Sequence, residues 1–137
     1  MPTMQTVGAM IGSHPAPTGL DRGLLARAVD LMVACSTACT VCADACLSED
    51  GVAEMVRCIR LDSDCADVCA AAARVMARQT AYDSDVSRAV VQACLTACRA
   101  CEAECAQHAG MHEHCRVCAE ACRECAEVCE ELLAAMG

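Results

Sequence analysis

The chain has 137 residues, a length suited to one domain with a single core. Its formal net charge of -9 disfavours nucleic acid and anionic membrane surfaces as partners, because both would repel it. Phe and Trp are absent and Tyr82 is the only tyrosine, so aromatic side chains cannot dominate the core. Cysteine, with 16 residues, is the candidate to fill the interior instead.

Residues 1–19 are predicted to form a flexible N-terminal tail, because all three prolines lie there and no hydrophobic period is sustained. No Lys or Arg precedes Arg22, and no apolar run has the length of a signal peptide, which predicts a cytoplasmic protein with reduced thiols. Charges interrupt every later stretch before it reaches the roughly 18 apolar residues of a spanning helix, so no membrane association is expected. No role is assigned to His14 or to the tail methionines Met1, Met4 and Met10.

Residues 20–137 are predicted to be all-α, since they contain no proline and are rich in helix formers. Turn signals at residues 48–51, 82–85 and 107–114 divide this region into four segments of roughly similar length. Similar helices with short connections favour an antiparallel four-helix bundle. Ser48 is the candidate cap of the second helix, and Asp83 or Ser84 of the third.

Cysteines recur in every segment at spacings of three and four residues, apart from one gap in the second, which places them on one face of each helix. They are Cys35, Cys39, Cys42 and Cys46 in the first; Cys58, Cys65 and Cys69 in the second; Cys94, Cys98, Cys101 and Cys105 in the third; and Cys115, Cys118, Cys122, Cys125 and Cys129 in the fourth. These are positions that a bundle usually gives to leucine, so we expect a cysteine-lined core. In an antiparallel arrangement, Leu, Val and Met collect at one end and the thiols at the other.

The connection after the third segment lies at the thiol-rich end and contains His108, Met111, His112 and His114. Because imidazole suits copper, His108 and His112 are candidate metal ligands at this mouth, with Met111 beside them. Asp62 occupies the gap in the second stripe. It either faces the core, as an occasional metal contact or as a group that hydrogen-bonds thiols and protonates when buried, or lies at the margin with Leu61 facing inward.

So many aligned thiols indicate metal chemistry, since Ala, Val or Leu would fill a core without the risk of oxidation. A disulfide scaffold is disfavoured, because a continuous stripe supplies the required side-chain vectors only occasionally. The ferredoxin run Cys-x2-Cys-x2-Cys-x3-Cys-Pro is absent, and a Cys-x2-Cys oxidoreductase would require a βαβ context. No cysteine is distinguished as a nucleophile, so the chain is not expected to be an enzyme.

Charge selects among the metals. Zinc tetrathiolates would each bury a double negative charge with no inward Lys or Arg to offset it. Soft Cu(I), at about one ion per thiolate, leaves the same core nearly neutral. The sequence therefore predicts a store and buffer of multiple Cu(I) ions per chain; the alternative is a thiol redox sensor that uses reversible disulfides.

The four patterns together resemble the copper storage protein family, in its cytosolic branch. The resemblance rests on Cys35-x3-Cys39-x2-Cys42-x3-Cys46, on CIRLDSDCADVC from residue 58, on Cys94-x3-Cys98-x2-Cys101-x3-Cys105, and on HCRVCAEACRECAEVCEE from residue 114. It implies a homotetramer of bundles that store Cu(I) mostly through pairs of thiolates, with a copper chaperone as a candidate partner. It carries the ligand role to all the cysteines, and the role of metal entrance to His108, His112, Met111 and His114.

Overall fold

The computed structural model describes residues 2–137, with side chains from Thr6 onward, and every regular element in that range is helical. The helices are α1 (Pro2–Gly12), α2 (Arg22–Leu47), α3 (Val56–Ala77), α4 (Ser84–His108) and α5 (Glu113–Met136), with a 3-10 turn at Val52–Met55. Helix α2 packs against α3 and α5, and α4 packs against the same two helices. The four long helices therefore surround one core, and the predicted all-α four-helix bundle is confirmed.

Side-chain caps fix two of the helix starts. Asp21 accepts a hydrogen bond from the Leu24 amide, and Asp83 accepts one from the Val86 amide, each at 3.0 Å. The predicted cap at Asp83 is thus present. The prediction for Ser48 is wrong: it is the C-cap of α2, and α3 begins only after the 3-10 turn.

The largest fully buried apolar side chains form a plug at one end of the bundle. Leu25 and Met32 come from the first half of α2 and Val91 from that of α4, whereas Met76 and Leu132 come from the ends of α3 and α5. Because neighbouring helices run in opposite directions, these positions meet at the same end. The cysteines line most of the remainder of the core, as the sequence predicts, together with smaller apolar side chains and Asp62.

Helix α1 lies within the segment that the sequence describes as a flexible tail. It packs against α2, where Ile11 is buried, and Val7 lies one turn earlier against the same core. Arg22 binds the end of α1 and the segment that follows α1. Its Nη1 donates to the carbonyl oxygens of Ile11 (2.7 Å) and His14 (3.0 Å), and its Nη2 donates to that of Ala16 (2.9 Å). The apolar face of α1 is too short to produce a clear period, which is why it escaped the sequence analysis. The flexibility of this segment stays a prediction, and Met1 lies outside the described residues.

Helix α2 is long and apolar enough, by length and composition, to cross a membrane, and it is the one such helix found within residues 2–137. A single helix of this kind near the N-terminus is weak evidence, since the core helix of a soluble protein passes the same test. In this fold the buried face of α2 carries its cysteines, which pack against the other bundle helices. The absence of membrane association stays a prediction.

Candidate metal centre

The cysteine-lined core is present. All sixteen cysteines are free thiols and all are buried. Helix α2 contributes Cys35, Cys39, Cys42 and Cys46; α3 contributes Cys58, Cys65 and Cys69; α4 contributes Cys94, Cys98, Cys101 and Cys105; and α5 contributes Cys115, Cys118, Cys122, Cys125 and Cys129. Residues three and four apart share a side of a helix, so each helix supplies one row of sulfur and the rows face one another.

The sulfurs form a connected network along the bundle. Near the plug, the Sγ of Cys69 lies 3.6 Å from that of Cys94, and in the middle, the Sγ of Cys39 lies 3.7 Å from that of Cys118. Two further pairs also lie 3.7 Å apart: Cys35 with Cys122, and Cys58 with Cys105. A metal–sulfur bond of about 2.3 Å allows two sulfurs on one ion to lie up to about 4.6 Å apart. The spacing therefore suits pairs of thiolates that share an ion.

Sets of four thiols meet the geometric requirement for a metal site, and these sets overlap. In each set the sulfurs lie within 4.8 Å of one another. Four such sets are Cys35, Cys65, Cys69 and Cys98; Cys35, Cys39, Cys65 and Cys122; Cys39, Cys101, Cys118 and Cys122; and Cys69, Cys94, Cys98 and Cys125. Because members are shared, these sets cannot all be separate closed tetrahedral sites of the kind that structural zinc prefers. The arrangement instead suits ions that bridge neighbouring thiolates.

Within residues 6–137, no arginine is buried among the thiols. The buried polar or charged side chains are Asp62, Gln79, Ser87 and Glu104. Thiolates in this core would therefore have no arginine to balance them, so their charge must be balanced mainly by the metal itself. This is the condition on which the preference for a monovalent soft ion depends.

Asp62 faces the core, which resolves the alternative that the sequence left open. It is fully buried, whereas Leu61 is only partly buried. Its Oδ1 accepts hydrogen bonds from the thiols of Cys101 (3.0 Å), Cys105 (3.3 Å) and Cys118 (3.4 Å). Burial raises the pKa of Asp62 to about 8. The carboxyl group is thus largely protonated at neutral pH and contacts thiols of both α4 and α5.

His114 is the histidine that reaches the thiols. Its Nδ1 lies 3.4 Å from the Sγ of Cys42 and 3.6 Å from that of Cys115. With Cys46, these residues form a set whose ligand atoms all lie within 4.8 Å of one another. The resemblance assigned His114 to the metal entrance. Its contact with Cys42 could not be predicted from the sequence, because the two residues lie 72 apart in the chain.

Glu49, in the connection after α2, contacts two histidines through one oxygen atom. Its Oε2 lies 2.8 Å from Nε2 of His114 and 3.1 Å from Nδ1 of His112, and the two imidazole rings stack with their centroids 5.3 Å apart. The hydrogen bond with His114 lowers the pKa of Glu49 below its ordinary value. Sequence analysis missed Glu49; the available signal was an acidic residue in the other connection at the same end of the bundle.

His108 has a carboxylate partner of its own. Its Nε2 lies 2.9 Å from Oε2 of Glu104, one turn earlier on α4, and Arg57 approaches the other oxygen of Glu104 at 3.4 Å. The Nδ1 of His108 is buried and has no hydrogen-bond partner in the described part of the chain. Glu104 was also missed, although its position four residues before His108 and next to Cys105 could have indicated it.

Met111 lies apart from the thiols. Its side chain is 68% exposed in the turn between α4 and α5, so the structure does not bring it to the network. His112 occupies the N-cap of α5, and His108 is the last residue of α4. The mouth is therefore made of helix ends rather than of the loop that the sequence predicts. Of the tail methionines, Met10 is exposed, and the side chains of Met1 and Met4 lie outside the described part.

Cys46 and Cys115, two thiols near the mouth, are protonated at neutral pH. Burial raises the pKa of Cys115 to about 11, and it raises the pKa of Cys46 above the ordinary value as well. Metal binding at these positions must release protons, because the thiolate is the ligand.

The family model described as copper storage protein matches residues 22–134 of this chain. The chain belongs to the copper storage protein family. The match includes all the cysteines and the histidines of the mouth, whereas α1 lies before it.

Two solved structures of a copper storage protein and one cysteine-rich protein are similar to this chain. The copper storage protein Ccsp from Streptomyces lividans, in a structure loaded with 10 copper equivalents, is 58% identical, with a TM-score of 0.91, and the alignment covers 93% of this chain and 98% of that chain. A structure described as copper loading to a cytosolic copper storage protein from Streptomyces lividans (five coppers) is 62% identical, with a TM-score of 0.82, over 85% of this chain and 97% of that one. The uncharacterized cysteine-rich protein YhjQ of Bacillus subtilis (strain 168) is 40% identical over 93 residues, which are 68% of this chain and 81% of the relative.

Proposed function

We propose that this chain is a cytoplasmic store that buffers Cu(I) by binding many ions through its core thiolates, and that it is not an enzyme. The observation that carries the proposal is the connected network of sixteen buried thiols with no buried arginine among them. The relative from Streptomyces lividans, described as cytosolic and as loaded with 10 copper equivalents, supports the same function and location.

Cu(I) fits this core better than zinc because of charge and of ligand sharing. One Cu(I) per thiolate leaves the core close to neutral, whereas each zinc tetrathiolate leaves a buried double negative charge. Cu(I) is also soft, matches thiolate ligands, and tolerates two sulfur ligands with bridging. The overlapping four-thiol sets are compatible with bridged ions.

The proposed ligands are the sixteen cysteines, with histidines at the mouth. His114 has the strongest support, since its Nδ1 lies against Cys42 and Cys115. His108 and His112 are proposed to receive metal at the entrance. Met111 keeps this entrance role only as an exposed first contact.

Loading is proposed to proceed from the histidine end toward the plug, with one proton released for each thiol that becomes a ligand. The apolar side chains of the plug close the opposite end. A buried thiol packs as a small hydrophobe, so we expect the thiol rows to be assembled before metal binds and little ordering to be needed on loading.

Oligomeric state and partners are proposals from the family resemblance. A homotetramer is expected, and light scattering that gives the mass of one chain would contradict it. A copper chaperone is the proposed source of metal. The net charge of -9 supports the absence of nucleic acid and of anionic membranes among the partners.

The redox-sensor alternative is not favoured, because the chain belongs to the copper storage family. A sensor requires a few reactive thiols that pair reversibly. Here no pair is set apart from the rest of the network.

The test is an anaerobic titration of the fully reduced protein with Cu(I) against a competing chromophoric chelator, with zinc in parallel. We expect tight uptake of about one Cu(I) per cysteine and weaker retention of zinc, on the soft-ligand argument. Saturation after a few Cu(I) ions, or tighter retention of zinc, would contradict the proposal and return the redox sensor to consideration.

A further inference from the structure

We propose that Glu49 and Glu104 are positioning residues that hold His114 and His108 with the Nδ1 lone pair free to bind Cu(I). This inference rests on the proposed function, and it assigns to the mouth two carboxylates whose task is to orient imidazole rings. Each carboxylate meets the Nε2 atom of one histidine, at 2.8 Å for Glu49 with His114 and 2.9 Å for Glu104 with His108.

At His114 the chemistry of the partner fixes the position of the hydrogen. An ionised carboxylate only accepts hydrogen bonds, so the Nε2 atom that faces Glu49 must carry the hydrogen. A neutral imidazole has one hydrogen, which leaves a lone pair on Nδ1. That atom lies 3.4 Å from the Cys42 sulfur and 3.6 Å from the Cys115 sulfur. Glu49 therefore presents the basic nitrogen of His114 to the thiols.

At His108 the same conclusion has independent support. Its Nδ1 is buried without a partner, although buried polar atoms are normally hydrogen-bonded. Such an atom is a lone pair kept out of water, which is the state that a soft metal ligand needs. Glu104 is itself 8% exposed and is contacted by Arg57, so its carboxylate can hold the ring in place.

Glu49 also links the outer part of the mouth to the inner part. The oxygen that meets His114 lies 3.1 Å from Nδ1 of His112, and the two rings stack. A hydrogen on Nδ1 of His112 leaves the Nε2 of that ring as its free lone pair. One carboxylate thus orients two imidazole rings, that of His112 in the outer part of the mouth and that of His114 beside Cys42.

A simpler explanation is that acidic residues at the mouth only attract cations. Two neighbouring carboxylates provide matched controls, because they carry the same charge without a histidine contact. Glu54 is exposed in the 3-10 turn at the same end of the bundle, and Glu102 lies on α4 near Glu104 and pairs with Arg99. Glu54→Gln and Glu102→Gln remove a charge and leave both histidine pairs intact.

The first measurement uses the reduced protein without copper. Nitrogen-15 correlation spectra of the histidine rings report the hydrogen on each nitrogen. We expect hydrogen-bonded Nε2–H signals with an unprotonated Nδ1 for His114 and His108. Glu49→Gln should disturb the signals of His114 and His112, Glu104→Gln should disturb the His108 signal alone, and the two control variants should change none of them.

The second measurement is the rate of Cu(I) uptake from a chelator under anaerobic conditions. Substitution of residues that orient metal ligands typically lowers affinity or activity by about ten-fold or more. We expect Glu49→Gln and Glu104→Gln to slow the initial uptake on that scale with an unchanged final capacity, and the control variants to remain near wild type.

Equal slowing in all four variants, or ring signals that do not change in Glu49→Gln and Glu104→Gln, would overturn the positioning role. If the wild-type chain binds only a few Cu(I) ions, the proposed function fails and the copper role of the two carboxylates fails with it. In that case the spectra of the copper-free protein would still decide whether the carboxylates orient the rings. The two failures are therefore distinguishable.

Discussion

At the scale of single residues, Asp62 is the side chain whose environment differs most from that of its type. It occupies a position in the α3 stripe where a thiol would be expected, and the thiols of Cys101, Cys105 and Cys118 donate hydrogen bonds to it. A protonated carboxyl group is neutral, as a thiol is, so it can occupy the metal-free core without leaving a buried charge. Its ionisation should therefore affect stability.

We predict that the reduced, metal-free protein loses stability between pH 5 and pH 8 because of Asp62. The pKa of this carboxyl is raised to about 8 in the fold from its ordinary value of 3.8. The folded state therefore holds a proton that the unfolded state has lost, and the associated stability is present below pH 4 and is lost as the pH rises to about 8. Each pH unit in that interval is worth about 1.4 kcal/mol at most. Urea unfolding at a series of pH values measures this slope.

Asp62→Asn should flatten the slope, because the amide has a similar shape and does not ionise. The matched control is Asp67→Asn, which changes an exposed carboxylate on the same helix and should keep the wild-type slope. Parallel curves for wild type and Asp62→Asn would show that another group causes the pH dependence. The comparison is restricted to values below pH 8, where thiols of the unfolded chain remain mostly protonated.

Residues of the site differ in how far the sequence could predict them. The cysteines were predictable, because their spacing of three and four residues is enough to place them on one face of each helix. The contact of Glu49 with His114 joins residues 65 apart in sequence, so it depends on how two connections meet at the bundle end. Asp62 lay between these cases, since its spacing allowed either Asp62 or Leu61 to face inward.

At the scale of elements, the bundle helices followed from composition and turn signals, whereas α1 and the helix ends did not. The cysteine spacing extends the helical pattern of α4 and α5 toward the mouth, but it does not determine that α4 continues to His108 and that α5 begins at Glu113. Ser48 has the chemistry of an N-cap and lies instead at the end of α2, because the following chain first forms a 3-10 turn. Cap chemistry alone cannot distinguish one end of a connection from the other.

The docking of α1 is predicted to depend on Arg22. The guanidinium group donates to carbonyl oxygens of Ile11, Gly12, His14 and Ala16, which the end of a short helix would otherwise leave to solvent. Arg22→Gln removes most of these bonds, and loss of a hydrogen bond to a charged group costs about 1.5–3 kcal/mol. We expect hydrogen exchange in residues 6–16 to become at least about ten-fold faster, since 1.4 kcal/mol corresponds to that factor.

The exchange of α2–α5 should stay unchanged in this variant, because α1 packs beside the ring of long helices. Arg78→Gln, which alters an exposed arginine in the connection after α3, is the control and should leave α1 protected. If Arg22→Gln exposes the bundle helices together with α1, then α1 is part of the same cooperative unit and the assignment of a separate docked segment is wrong.

At the scale of the whole molecule, the core has two parts: an apolar plug that stabilises the fold and a thiol network that is proposed to store copper. The plug of Leu25, Met32, Met76, Val91 and Leu132 supplies large apolar side chains, and the thiol network supplies small ones. A buried thiol packs as a small hydrophobe, so the copper-free protein should already be folded. This contrasts with small zinc domains, in which metal binding supplies the free energy of folding.

We predict that the two halves of the core can be weakened separately. Leu132→Ala creates a cavity in the plug and should lower the unfolding free energy of the copper-free protein by about 2–5 kcal/mol, with unchanged copper capacity. Cys122→Ser removes one soft ligand from the middle of the network and should lower capacity by about one Cu(I), on the basis of one ion per thiolate, while the fold persists. Circular dichroism of the reduced, metal-free proteins measures helicity and unfolding, and an anaerobic titration measures capacity.

The decisive comparison is the helicity of the wild-type chain before and after loading. A preformed store keeps its helical signal when copper is removed by a chelator, and its melting temperature rises with loading because the ligand binds only the folded state. A metal-free chain that is largely unstructured and gains helix in proportion to added Cu(I) would mean that the plug cannot hold the bundle together alone. In that case Leu132→Ala would also lower copper uptake, because the thiol rows would no longer face one another without it.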